Sequence, residues 1–406
     1  MRNAARGLLL LYVFTIPWEY SLDLGEPWGN VARIVGLLLL MATIPAVFQA
    51  GSLRTPGPMQ ALVLAFYLWL CCSYFWSIEP METVAKMRAG FQEMMVVWLV
   101  WELADNAADM RSILRGYVAG SWVLAALTLV NFSSAEAIAA GQIRFAASGQ
   151  DPNDVARFLD LGFPLAALLV TSERRWPARL LAAGYLPVGL VAVLLTASRG
   201  GFLAAMVALA GSGFLLMHGH PRRLLAGALS LPPIVVAVWF TVPRETLERL
   251  ATISEQLQGG DLNQRSNIWQ AGWQAFVRRP FFGFGAGSFV SAAGLSPVDT
   301  AHNTALSIGV SGGVIALFLA AAILAAAVWA IAQTRGPLRG AMGTALVVWF
   351  ITSLVATVED NRTTWLLLAL IALAGRLAVE EWVGIANYFP ATARRSELQT
   401  AQGTAR

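Results

Sequence analysis

Two kinds of side chain in this sequence are placed where they could do chemistry. His302 stands in Thr300-Ala301-His302-Asn303-Thr304, at the opening of a long apolar run. The positive end of a helix dipole disfavours a protonated ring, so an imidazole there is held in the neutral state that a general base needs. A capping or interfacial histidine would occupy the same position, and that reading stays open. The second kind is cationic. Arg199 sits in Ser198-Arg199-Gly200-Gly201, a tight turn between two apolar runs with no acidic neighbour, and Lys86 and Arg88 precede another such run. A guanidinium offers phosphate two parallel hydrogen bonds and keeps its charge. At the end of an apolar helix it lies at the depth of a lipid headgroup, so these residues are candidate ligands for a lipid diphosphate. Snorkelling to the interface or pairing with a carboxylate is the competing reading for each.

Other patterns carry less. Gly283-Phe284-Gly285-Ala286-Gly287 looks like a glycine-rich phosphate loop, but no strand precedes it, so a flexible turn is expected instead. Asp151-Pro152-Asn153-Asp154 reads as a helix cap with proline in the first turn, or as a sugar or metal ligand. No spaced His, Cys or carboxylate set reads as a metal site, so neither metal nor cofactor is expected. Cys71 and Cys72, the only cysteines, are neighbours in an apolar run and are expected to be small buried core residues.

The elements that must hold these residues are membrane helices. Of 406 residues, 57% are hydrophobic and 13% charged, and the mean hydropathy is +0.61. That excludes an ordinary soluble domain. Apolar stretches recur at 7–22, 31–49, 57–76, 88–103, 112–132, 155–171, 179–197, 201–217, 223–242, 303–332, 340–358 and 363–380, each near the length that crosses a bilayer. The expectation is an all-α integral membrane protein of about twelve transmembrane helices, forming a single polytopic domain over 1–406. With both termini cytoplasmic, the larger share of the 28 lysines and arginines falls in inward loops, as the positive-inside rule requires. The pI of 9.4 then reflects membrane orientation and not nucleic-acid binding.

The largest connection, 243–302, falls outside. Leu247, Leu250, Ile253 and Leu257 lie close to one helical face, and Trp269, Trp273 and Phe276 on another, which predicts two amphipathic helices joined at Gly259-Gly260. Glu93 is the one acid that reads as deep within a span.

Three segments together resemble the O-antigen ligase family: Thr196-Ala197-Ser198-Arg199-Gly200-Gly201; Arg265-Ser266-Asn267-Ile268-Trp269 running on to Arg279-Pro280-Phe281-Phe282-Gly283-Phe284-Gly285; and His302-Asn303 opening a helix through Ser311-Gly312-Gly313. The resemblance implies a GT-C-like glycosyltransferase of the bacterial inner membrane with a periplasmic active site. It would move glycan from undecaprenyl pyrophosphate to a hydroxyl of lipid A core by metal-independent inverting transfer. It further implies that Arg199 and Arg265 hold the diphosphate and that His302 activates the acceptor, with Asn303 beside it. Arg265 stands out only through the resemblance. Lys86 and Arg88 join the anion site on position alone. A polymerase joining two lipid-linked glycans shares this chemistry. A secondary transporter or flippase is the rival of another class, disfavoured because the cations gather toward one surface and the spans are poor in deep charge.

Overall fold

The computed structural model describes residues 1–25, 28–134, 141–217, 236, 238–253 and 265–380, and the backbone of 381–388. Among them the chain is helical, with one isolated bridge between Asp23 and Asn30. The order is α1 (Arg2–Thr15), a 3-10 turn (Ile16–Ser21), α2 (Val31–Ala50), α3 (Pro58–Cys72), a second 3-10 turn (Ser73–Trp76), α4 (Pro80–Leu103), α5 (Ala107–Phe132), α6 (Pro152–Ser172), α7 (Trp176–Leu195), α8 (Arg199–Met217), α9 (Arg244–Ala251), α10 (Arg265–Arg278), α11 (Phe289–Ala293), α12 (Thr304–Gln333), α13 (Gly336–Ser353) and α14 (Arg362–Tyr388).

Eight of these, α2, α3 with its 3-10 extension, α5, α6, α7, α8, α12 and α14, are long and apolar enough to cross a membrane. The chain is therefore a multi-pass membrane protein. Of the other expected spans, the first falls on α1 and the 3-10 turn, the fourth on α4 and the eleventh on α13, none of which meets that standard. At 14 residues α1 is short, and α4 carries Glu82, Lys86, Arg88, Glu93 and Glu102. Most of the ninth lies outside the described residues, as do Leu257 and the Gly259-Gly260 link. The two amphipathic helices are present as α9 and α10.

Burial distinguishes the helices. In α6, 83% of the spanning window is buried inside the protein, against 22% in α12, so α6 is the axis and α12 faces outward. Helices α5, α7, α8 and α13 pack around α6. The Tyr117 and Tyr185 hydroxyls donate to the Phe158 and Leu159 carbonyls at 2.9 and 2.7 Å, on the turn before Pro164. Gly162 admits the second tyrosine, because a Cβ there would lie 2.4 Å from its hydroxyl. A polar side chain that bonds a backbone carbonyl satisfies itself inside the bundle, where water is absent.

Two expectations need correction. Asp160 on α6 is 0% exposed and neither carboxylate oxygen has a partner, and Glu19 is buried against Arg362, so Glu93 is not the only deep acid. Each lies in a short apolar neighbourhood that hydropathy averages hide. Cys72 is exposed and Cys71 half-buried, because α3 turns most of its surface away from the protein core.

Candidate functional site

A cavity of about 600 Å³ opens among the helix ends that share one face of the bundle. Its walls come from the end of α3, the first half of α4, the start of α6, the 286–302 stretch, the start of α12 and the link between α13 and α14. Arg265, His302 and Lys86 line it, together with Asp151, Asn153, Asp154 and Arg157.

His302 is placed by its neighbours on both sides. The Trp269 indole of α10 donates to the Ala301 carbonyl at 3.1 Å, and the Asn303 side chain accepts from the Leu306 N–H at 2.9 Å, capping α12. Asn303 also donates to the Leu354 carbonyl, and the Thr304 hydroxyl to that of Ala356, which ties the loop to the α13–α14 link. Asn303 is thus occupied with the backbone and does not line the cavity. His302 itself has φ +46°, a left-handed conformation that a side chain adopts at a cost. Thr300 Oγ1 lies 3.3 Å from His302 Nδ1. Burial, and then the charge of Arg265, hold the imidazole below its ordinary pKa, with Asp151 acting the other way. Both of the lowering effects favour the neutral ring.

The glycine run is a fixed seam and not a flexible turn. Phe284 and Gly285 donate their N–H groups to the Val310 and Ser311 carbonyls at 2.8 and 2.9 Å, and Val314 donates to Pro280 at 2.7 Å. These bonds are possible because α12 breaks at Gly313, whose φ of +69° frees carbonyls that a regular helix would keep. A Cβ on Gly313 would fall 2.1 Å from the Phe281 carbonyl oxygen, and one on Gly285 2.3 Å from Ser77 Oγ. The indoles of Trp69 and Trp76 donate to Gly312 and Phe282 across the same seam. Sequence spacing shows the glycines but not the partner strand of backbone they are needed against.

Behind the cavity lies a cluster of arginines. Arg199 donates to the Arg249 carbonyl and the Thr252 hydroxyl, Arg249 to the Ala197 carbonyl, and Arg144 to Thr196 O and Asn153 Oδ1. Ser198 also donates to Asn153 Oδ1 at 2.8 Å, so the Asp151-Pro152-Asn153-Asp154 and Ser198-Arg199 turns are locked together. Asp151 accepts from the Asn153 N–H at 2.7 Å, the capping role expected of it. Ala197 has φ +48°, a second strained residue in the same neighbourhood. Burial lowers the pKa of Arg144, Arg249 and Arg265, and mutual repulsion adds to it: Arg249 acts on Arg144, and Arg199 on Arg249 and Arg265. Such crowding is tolerated where an anion is to be received.

The residues named from the sequence are thus partly gathered. Arg265 and His302 share the cavity, and Arg199 stands behind Arg265 without lining it. Lys86 lines the cavity but its ammonium is paired with Asp360. Arg88 is exposed on α4 and outside the cavity. Arg157, which the sequence places among the outward cations without singling it out, lines it 7% exposed and bonded to Asp154. Its place one turn inside a capped helix was the only signal. Among the described residues no three His, Cys, Asp or Glu side chains are grouped to hold a metal ion.

The fold and cavity define a polytopic helical membrane protein with cations and one neutral imidazole at a shared bundle end. A family model described as O-antigen ligase matches residues 184–321, from within α7 into α12, and this supports the chain's place in the O-antigen ligase family. The matched stretch contains Arg199, Arg265 and His302. No curated protein matches the chain. The family implies a glycosyltransferase-like enzyme, ligase or polymerase, that works on lipid-linked glycan in a membrane.

Proposed function

We propose that the chain is an O-antigen ligase, transferring glycan from undecaprenyl pyrophosphate to a sugar hydroxyl of lipid A core at the periplasmic face of the inner membrane. The observation that carries this reading is that Arg265 and His302 open onto one cavity, while Arg265 has no hydrogen-bond or ion-pair partner among the described residues. An unpaired, half-buried guanidinium beside a neutral imidazole is prepared for a diphosphate next to a hydroxyl.

In the proposed reaction the acceptor hydroxyl attacks the anomeric carbon. Its oxygen forms the new C–O bond as the bond from that carbon to the phosphate oxygen breaks, and the pyrophosphate leaves with the electron pair. His302 takes the hydroxyl proton, and Asp151 and Asp299, whose charges act on it, stabilise the imidazolium formed. Arg265 neutralises the leaving group, and Arg199 supplies further positive potential from behind. One displacement inverts the anomeric centre and needs no nucleotide.

The test is reconstitution of the purified chain in liposomes with undecaprenyl-pyrophosphate glycan and lipid A core, with and without EDTA. Glycan on core is expected, undiminished by the chelator. Longer lipid-linked glycan in its place would make the chain a polymerase, and no transfer under any condition would overturn the reading.

A further inference from the structure

A second set of ionisable groups lines the same cavity, and the reaction above does not use it. Glu93 of α4, Glu359 and Asp360 of the α13–α14 link, and Lys86 all face the space. Glu93 is 7% exposed, and its carboxylate has no hydrogen-bond or ion-pair partner among the described residues. Glu359 Oε2 is enclosed and also without a partner. Lys86 is committed to Asp360, so it cannot serve a phosphate without giving up that pair.

Glu93 and the imidazole answer to different charges, and Arg157, on which both Glu359 and Arg265 act, lies between the two sides. The charges that act on Glu93 are those of Asp360, Arg362, Lys86 and Glu19, whereas those on His302 are Arg265, Asp151, Arg157 and Asp299. Of the cations near Glu93, Lys86 is paired with Asp360 and Arg362 with Glu19. An anion brought here finds neither of these cations uncommitted, so nothing offsets the hydration it gives up. Burial and the charge of Asp360 push the Glu93 carboxyl up to about 8 and that of Glu359 up to about 7, so near neutral pH both accept and donate hydrogen bonds. Ser307 and Asn361 add a hydroxyl and an amide to the same lining. Closely spaced acceptors and donors without net positive charge match the hydroxyls of a sugar ring and reject a phosphate.

We infer that this wall seats the acceptor, and that the acceptor ring held there is an uncharged, hydroxyl-rich sugar bound through the Glu93 carboxyl group. The inference rests on the donor reading above, because it takes the Arg265 wall as already assigned. It moves Lys86 from the anion site to the orientation of Asp360.

The test uses the purified full chain in detergent, titrated calorimetrically with a core oligosaccharide in dephosphorylated and phosphorylated forms, and separately with undecaprenyl pyrophosphate. The dephosphorylated form should bind more tightly to the wild type. Glu93→Ala should weaken it about tenfold, the loss of a hydrogen-bonding carboxyl group, and leave undecaprenyl pyrophosphate within about twofold. Asp360→Asn, which removes one negative charge and frees Lys86, should narrow the preference between the two forms, and it decides the matter should the Glu93 variant fail to fold. Equal oligosaccharide affinity in both variants and the wild type, no binding at all, or a wild-type preference for the phosphorylated form would each overturn the inference. Failure of undecaprenyl pyrophosphate to bind would instead sink the donor assignment, while the oligosaccharide titration still decides the acid wall.

Discussion

The two ends of the bundle hold their arginines differently. At the end away from the cavity, Asp105 pairs with Arg2, Arg6 and Arg54, Arg115 pairs with Glu173, and Arg376 pairs with Glu380 while also donating to the carbonyls of Trp101 and Ala104 and stacking on the Trp101 ring at 4.7 Å. At the cavity end Arg157 and Arg362 are likewise paired, with Asp154 and Glu19, but Arg144 and Arg249 are held by carbonyl and amide oxygens, and Arg265 by no described group. A neutral oxygen fixes a guanidinium without cancelling its charge, whereas a carboxylate does both. The first end therefore fastens helices together, and the second keeps positive potential for something that arrives.

That contrast can be broken by mutation. Arg265→Gln or His302→Ala should reduce glycan transfer by about 10²–10³-fold with the protein still folded, read in proteoliposomes. A loss below tenfold would mean that the cavity's charge is ornamental. Gly313→Ala should cost about 3 kcal/mol or more, because it combines a backbone clash with a φ that alanine resists. Thermal unfolding in detergent checks this, and an unchanged midpoint would show that the seam yields. Asp105→Asn, at the opposite end, should cost only about 1–2 kcal/mol, since the pairs are partly exposed, and should leave transfer unaffected. Impaired transfer there would erase the distinction between the two ends.

The finest test is pH. The proposed base, His302, would act as neutral imidazole, and its pKa is held below the ordinary 6.5. The rate should thus be level through neutrality and fall only as pH drops through a value under 6.5. An acid limb centred above that value would show that the Arg265 charge is not felt at the ring.

Much of the scaffold was legible because bilayer-length apolar runs have a single structural solution. Expected spans at 112–132 and 155–171 correspond to Ala107–Phe132 and Pro152–Ser172, the latter begun by the Asp151 cap and proline that the sequence displays. Position in the chain does not reveal who partners whom. Lys86 looked like a free cation because Asp360, its partner, is far away in sequence. Asp160 escaped notice because one acid scarcely alters the hydropathy of α6. Arg265 was visible only by family resemblance, since a loop arginine becomes distinctive when the fold denies it a counter-ion.

The interruption of α12 at Gly313 has a mechanical consequence. The short segment that follows the imidazole is stitched to α10 and the seam, while the longer apolar stretch beyond the break buries Ala316, Ile323, Ala327 and Ala330 in the main core. The glycine thus acts as a mitre joint, letting one run of chain answer to two sets of neighbours, so that His302 takes its place from the seam and not from the direction of the long stretch.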